Sequence, residues 1–185
     1  VVIAENVKGI LQGTARNYYR KVLTEMDAAG YYAQAVLLDA SKMGVPQRRE
    51  RVFFIGLRKD LAEPFLYQHD MFTVLPRIDL KFSERGIPFG EIEDVLDCSD
   101  SLTDCQKLHW GKTKIGRGFS EFHEKGHWFN AFKLSKTTVC PTICAGTGNA
   151  GAYHYEHPRK MNTLEYSRAG TFPRDYDFQE NKPKY

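Results

Sequence analysis

The sequence predicts an α/β chain in which a strand, loop and helix unit leads into an antiparallel strand pair, followed by a small irregular domain of β segments and loops. Three observations carry this expectation. Val1-Val2-Ile3-Ala4 is an apolar run that reads as a buried strand. Tyr18, Val22, Leu23, Met26 and Ala29 recur at the spacing of one helical face between Thr14 and Gly30. From about Phe72 to Pro158 the pattern breaks into scattered Gly, Pro, Ser, Thr and aromatic residues with no sustained helical period, apart from a weak segment over Pro88 to Asp97.

Taken in order, the first strand delivers Glu5-Asn6-Val7 to its carboxyl end, which is where open α/β sheets place their chemistry. Gly30 suits the left-handed stop of the helix that comes next. Tyr32 to Leu38 and Arg51 to Leu57 are β-rich, and the Ser41 to Glu50 loop between them is too short for a crossover helix, so they pair antiparallel. Near the end, Asn162 followed three residues later by Glu165 reads as a capping box opening a short helix that Phe172-Pro173 terminates. These features divide the chain into residues 1–71, an irregular domain over 72–158, and a helix-containing segment over 159–185 that returns towards the first.

With 185 residues and 42% hydrophobic content, the chain buries a real core. The 26 basic and 23 acidic residues leave a formal charge of only +3, which excludes a generic polycation. Affinity for nucleic acid must then come from local clusters: Lys42 to Arg51, Arg58-Lys59 and Lys112 to Arg117. Cys98, Cys105, Cys140 and Cys144 form neither a dense disulfide framework nor a paired metal-binding pattern, which fits a reducing cytoplasmic setting. No apolar stretch approaches the roughly 20 residues needed to cross a bilayer. The chain opens inside an apolar strand without a methionine, and residues 177–185 trail into polar sequence, so it reads as a fragment of a larger protein or one polypeptide of a split one.

Gln47-Arg48-Arg49-Glu50-Arg51 sits between Gly44-Val45-Pro46 and the apolar run Val52 to Gly56, and presents a compact cationic fork. Guanidinium groups offer planar paired donors for phosphate oxygens and base edges. Upstream, the Glu5 carboxyl and the Asn6 amide stand side by side, able to donate to and accept from a heterocyclic base. In this order Glu-Asn-Val, then Pro-Gln-x-Arg-x-Arg, then Arg159 to Arg168 with Phe172-Pro173 resemble three blocks of the DNA (cytosine-5)-methyltransferase family, and together they cover nearly the whole chain.

The resemblance implies part of a Rossmann-like, S-adenosylmethionine-dependent methyltransferase sheet joined to a target-recognition domain that reads double-stranded DNA. By the same resemblance Glu5 contacts ring N3 and the exocyclic amine of a flipped cytosine, Asn6 and Val7 hold its loop, and Arg51 reaches the cytosine O2. Arg49 supports the loop and contacts the DNA backbone, Gln47 orders the turn, and Thr142-Ile143 matches the pair closing the recognition region, so that Gln47, Arg49 and Thr142 are the DNA-binding residues the resemblance implies. Arg159, Glu165 and Arg168 organise that region's packing. Gly116-Arg117-Gly118-Phe119, His127-Trp128-Phe129 and Lys133 suit a DNA-reading surface. The family's nucleophilic Pro-Cys-Gln and its Gly-rich donor loop belong upstream of Val1, and a closing donor-pocket segment belongs beyond Tyr185. The chain is therefore expected to be inactive alone and to need the missing catalytic portion or subunit. A non-catalytic DNA-binding module or second subunit is the alternative, and a restriction-modification setting fits the first.

Three patterns point elsewhere. His123-Glu124-Lys125-Gly126-His127 spells a zinc-peptidase motif, but Gly126 and the absence of helical periodicity deny it the helix that places both histidines on one face. Gly146 to Gly151 matches a dinucleotide-binding glycine pattern, yet Ala152 to Pro158 do not read as the helix that such a site requires. Cys105 faintly echoes the nucleophile but lies after Glu5-Asn6-Val7 instead of before it, and with Cys140 and Cys144 it reads as semi-buried.

Overall fold

In the computed structural model, residues 1–62, 64, 66–68, 71, 74–76, 78, 80–144 and 148–177 are described. They form two compact units. The first comprises Val1–Asp39 and Glu50–Phe82, and the second comprises Ala40–Arg49 and Ser83–Tyr185. This division departs from the one expected at 71 and 158. The loop Ala40–Arg49 and the stretch after 158 both pack with the second unit, because long-range contacts and not composition define its core.

In the first unit, β1 (Val2–Val7), α1 (Arg16–Ala28), β2 (Tyr31–Asp39) and β3 (Glu50–Arg58) build a three-stranded sheet of order β1-β3-β2, antiparallel throughout. Val52 and Phe54 on β3 and Ala35 on β2 meet Tyr19, Val22, Leu23 and Met26 of α1, with Ile10 closing one end. The helix therefore packs through Tyr19, while Tyr18, expected on the buried stripe, is 69% exposed. Gly56 marks the closest approach, since a Cβ there would lie 2.7 Å from the Met26 methyl. Gly30 ends the helix at φ +87°, a conformation that costs glycine nothing.

β1 corrects the expectation of a buried strand. Val2 and Ile3 are 41% and 65% exposed, because among the described residues β1 pairs only with β3 while α1 covers β2 and β3. An apolar groove of about 420 Å³ runs beside it, lined by Val2, Tyr18, Val22, Met26 and Tyr31 among others. A two-stranded antiparallel ladder of β4 (Leu66–Gln68) and β5 (Val74–Pro76) completes the described elements of this unit.

The second unit contains α2 (Asp104–Lys112), β6 (Ala131–Lys133), β7 (Gly151–Tyr153) and α3 (Thr163–Ala169), with β6 and β7 parallel. Its main core gathers Phe89, Ile92, Leu134, Cys140, Ala152, Met161 and Ala169. A second cluster gathers Leu102, Phe119, Ala131 and Tyr153 under Trp110 and Trp128. Residues 88–97 form only a single 3-10 turn, Phe89–Glu91, instead of a helix. α2 was not expected, although Thr103 and Gln106 make a reciprocal capping box at its start. α3 opens as expected on the Asn162–Glu165 capping box but stops at Gly170, short of Phe172-Pro173. Among the described residues no helix is long and apolar enough to cross a membrane.

Candidate active site

The register of the first sheet brings two distant parts of the sequence together. Val7 stands opposite Arg51 and Glu5 opposite Phe53, so Glu5 and Arg51 are diagonal neighbours on one face of β1 and β3. The Arg51 Nε lies 2.7 Å from Glu5 Oε1. The Arg51 Nη1 donates to the Glu50 carbonyl at 2.8 Å, which holds the guanidinium in plane. Glu50 is itself held by Lys8, whose Nζ donates to both carboxylate oxygens at 2.9 Å. Asn6 turns its amide oxygen back onto the Val7 N–H at 2.8 Å. The result is a carboxylate about half exposed beside a guanidinium largely covered by its neighbours. Such a pair offers a hydrogen-bond acceptor, or a proton when the acid is protonated, next to a fixed cation.

The other predicted residues lie within the second unit. Gln47 is buried at 7% exposure, forms a parallel bridge with Cys140, and accepts the Ile143 N–H on its side-chain oxygen at 3.3 Å. The Arg48 N–H donates to the Cys140 carbonyl at 2.8 Å, and the Thr142 hydroxyl donates to the Arg48 carbonyl at 2.8 Å. Arg48 and Arg49 are exposed, and the Arg49 carbonyl accepts the Ala40 N–H at 3.1 Å, closing the loop at its base. Gly44, at φ +78°, makes the reversal, and a Cβ there would sit 2.8 Å from a Glu84 carboxylate oxygen. Val45 and Pro46 then lead into the fork, which is thus sewn to the strand-like segment 140–143 by alternating main-chain and side-chain bonds.

Arg159 and Glu165 are 1% and 0% exposed and form a paired ion contact at 2.7 and 2.8 Å. Glu165 also accepts the N–H groups of Asp94 and Asn162, while Arg159 Nε donates to the Asp97 carbonyl. The Asn162 amide bridges Asp94 and Asp97. That amide, helped by Ser99, holds the Asp97 carboxyl down at about 2. Arg168 donates to the carbonyls of Ile92 and Glu93. Asp94 and Asp97 carried no local signal in the sequence, since only the fold brings them to the pair.

Several expectations meet a different arrangement. Lys133 is buried, its Nζ donating to the Trp110 carbonyl at 3.0 Å and lying 3.8 Å from the Trp110 ring centroid, so it is not part of a DNA-reading surface. Phe119 is core. His123 and His127 stand in a turn, with Gly126 at φ +62° and the His123 Nδ1 accepting the Lys125 and His127 N–H groups. Gly151–Tyr153 is a strand where a dinucleotide site needs a helix, and Gly146 lies outside the described residues. Cys105 and Cys144 are exposed, not semi-buried, whereas Cys140 is buried and burial, with Glu165 nearby, pushes its thiol up to about 12.

The family model for C-5 cytosine-specific DNA methylases matches residues 1–185. The chain belongs to that family. Among curated relatives, it is 28% identical to the type II methyltransferase M.NgoFVII of Neisseria gonorrhoeae across 96% of this chain and 50% of that protein. It is 39% identical to the type II methyltransferase M.BsuRI of Bacillus subtilis across 56% of this chain and 22% of that protein. Among solved structures, a triple mutant of Spodoptera frugiperda DNMT2 superposes with TM-score 0.56 at 18% identity, covering 98% of this chain and 58% of that one. The Dnmt2 methyltransferase of S. pombe superposes with TM-score 0.54 at 14% identity, covering 96% and 56%. The fold is thus a portion of the methyltransferase α/β fold, and this member spans about half the length of the curated relatives it matches across most of its length.

Proposed function

We propose that this chain is the part of a DNA (cytosine-5)-methyltransferase that grips and activates the target base and recognises double-stranded DNA. The observation that supports it most is the 2.7 Å contact between Glu5 and Arg51 on one sheet face. Carbon 5 of cytosine is a weak nucleophile, and adding a thiolate at carbon 6 makes it reactive only if the charge arriving on the ring is neutralised. Glu5, protonated, donates to ring N3 as the thiolate adds, and as a carboxylate accepts from the exocyclic amine. Arg51 donates to O2, the other atom on which charge accumulates. A base inside a stacked duplex cannot reach these groups, so the cytosine is flipped out at a cost of a few kcal/mol.

The nucleophile is proposed to come from outside these 185 residues. All four cysteines follow Glu5-Asn6-Val7 in the sequence, whereas the family's nucleophile precedes that block, and burial pushes the Cys140 thiol up to about 12. S-adenosylmethionine supplies the methyl group in this family. The apolar groove beside β1 does not match its ribose, amino and carboxylate groups, so no step is assigned to this chain's residues for holding it. Gln47 and Thr142 are proposed as positioning residues that order the fork, while Arg48 and Arg49 face DNA phosphates. A cytoplasmic restriction-modification setting fits the type II relatives and the four free thiols.

The test is transfer of labelled methyl groups from S-adenosylmethionine to cytosine in DNA by the full-length protein that carries this chain. Glu5→Gln should lower turnover by about a hundredfold or more, the scale of a lost general acid. An unchanged rate in that variant would end the assignment. Absence of methyl transfer by the parent protein would favour the non-catalytic DNA-binding reading.

A further inference from the structure

The ladder between β1 and β3 ends on the pair Val7 and Arg51, so the guanidinium assigned to the cytosine O2 occupies its last rung. Terminal rungs open most readily, because nothing beyond them holds the two strands together. β3 runs on against β2 as far as the pair Asp39 and Glu50, but β1 turns away at once through the 3-10 turn Lys8–Leu11. Lys8 and Glu50 stand where the next rung would be, and the Lys8 Nζ donates to both carboxylate oxygens of Glu50 at 2.9 Å. A side-chain clamp thus replaces the backbone rung that the turn removes. Glu50 is also the residue whose carbonyl accepts the Arg51 Nη1 at 2.8 Å, so the clamp fixes the peptide on which the guanidinium rests.

The clamp lies apart from the groups that face the base. Successive side chains of a strand alternate between its faces, so Glu50 leaves β3 on the face opposite Arg51, the one on which Val52 and Phe54 meet α1. Glu5, 2.7 Å from the Arg51 Nε, shares the other face with it. Lys8 and Glu50 can therefore reach a bound cytosine only through Arg51. Their side chains are 45% and 37% exposed, and an ion pair that open to water contributes little to global stability. What it supplies is local: it keeps the rung that carries Arg51 closed, and with it the contact to Glu5.

We propose that Lys8, through Glu50, is a positioning residue that holds Arg51 on the target cytosine. The inference rests on the reading of Glu5 and Arg51 as the base-activating pair. The experiment follows methyl transfer from S-adenosylmethionine to DNA by the full-length protein, with kcat and the KM for DNA determined separately. Lys8→Met should lower kcat on the order of tenfold, the scale of a catalytic group set slightly out of line, and leave KM unchanged. The salt slope of DNA binding should stay at the wild-type value, and the melting temperature within about 4 °C of it. Glu50→Gln should reproduce the fall in kcat, and Lys8→Arg should restore the rate, because a guanidinium also spans two carboxylate oxygens. Combining Lys8→Met with Glu50→Gln should be no slower than either change alone, and Lys8→Met should cost nothing further in an Arg51→Ala background. Wild-type kcat in Lys8→Met, with Glu5→Gln still slow, would overturn the clamp and leave the base-activating reading standing. A salt slope reduced by about one with kcat unchanged would also overturn it and make Lys8 a phosphate contact. A wild-type protein that does not methylate DNA, or one indifferent to Glu5→Gln, would overturn both.

Discussion

At the scale of single residues, the pairing of Glu5 with Arg51 depends on register. A slip of one residue in the β1 and β3 ladder would put the two side chains on opposite faces. Both were legible in the sequence as members of motifs, yet no local spacing rule joins them, and only the antiparallel register makes them neighbours. Lys133 shows the converse, since a lysine near aromatic residues reads as a nucleic-acid contact until its Nζ is found on the Trp110 carbonyl. Thr142 carries the prediction that belongs here. Its hydroxyl donates to the Arg48 carbonyl, so Thr142→Val keeps the shape and removes one tether of the fork. Because Thr142 is exposed, water can replace that bond and the stability cost should stay at about 1 kcal/mol or less. The expected outcome is a several-fold fall in methylation efficiency with a melting temperature within about 4 °C of wild type and an unaltered salt slope of DNA binding. A reduced salt slope would instead identify Thr142 as a phosphate contact.

At the scale of elements, α3 is the anchor of the second unit, since its capping glutamate is also the buried partner of Arg159 and the acceptor for Asp94. Replacing Glu165 with Gln takes the paired carboxylate from a buried guanidinium and leaves it Asp97 at 3.6 Å, and losing one member of a buried pair costs about 3–5 kcal/mol. Urea unfolding of Glu165→Gln should therefore show a large fall in midpoint, or no folded second unit at all. A midpoint within a few tenths of a molar of wild type would mean that water or Asp97 compensates the arginine. The same element shows why some of the fold could be read and some not. The Asn162–Glu165 box made α3 legible, whereas the equivalent Thr103–Gln106 box opens α2 in a stretch with no apolar stripe, and α2 was not expected. β1, α1, β2 and β3 each repeat a period long enough to be legible. β6 and β7 are three residues each and exist only because Leu134, Ala152 and Tyr153 meet partners far along the chain.

At the scale of the whole molecule, the net charge is small and stability responds to pH through a few buried groups. His154 is 1% exposed, and its Nδ1 accepts the N–H groups of Glu156 at 3.1 Å and His157 at 3.0 Å, so the folded state holds the ring neutral. Burial, with Arg159 and His157 opposing the partial help of Glu165 and Asp97, lowers its pKa to about 4. An unfolded histidine titrates near 6.5. The unfolded chain thus takes up the proton first as pH falls, and the contribution of His154, fully present above about 6.5, is lost progressively down to about 4. The gap corresponds to about 3 kcal/mol over that window. His123, lowered by burial and by its neighbours His109 and His127, acts in the same direction. Asp97, held at about 2 chiefly by Asn162 and Ser99, contributes stability that is fully present above about 3.8 and is lost only as pH falls from there towards about 2. Unfolding free energies of the full-length protein measured from pH 7.5 to 5 should therefore fall steadily for wild type and fall less steeply for His154→Gln, even though that variant starts lower at pH 7.5. Parallel curves for the two proteins would show that His154 accepts its proton without cost, and that the acid sensitivity of this fold arises from its exposed histidines.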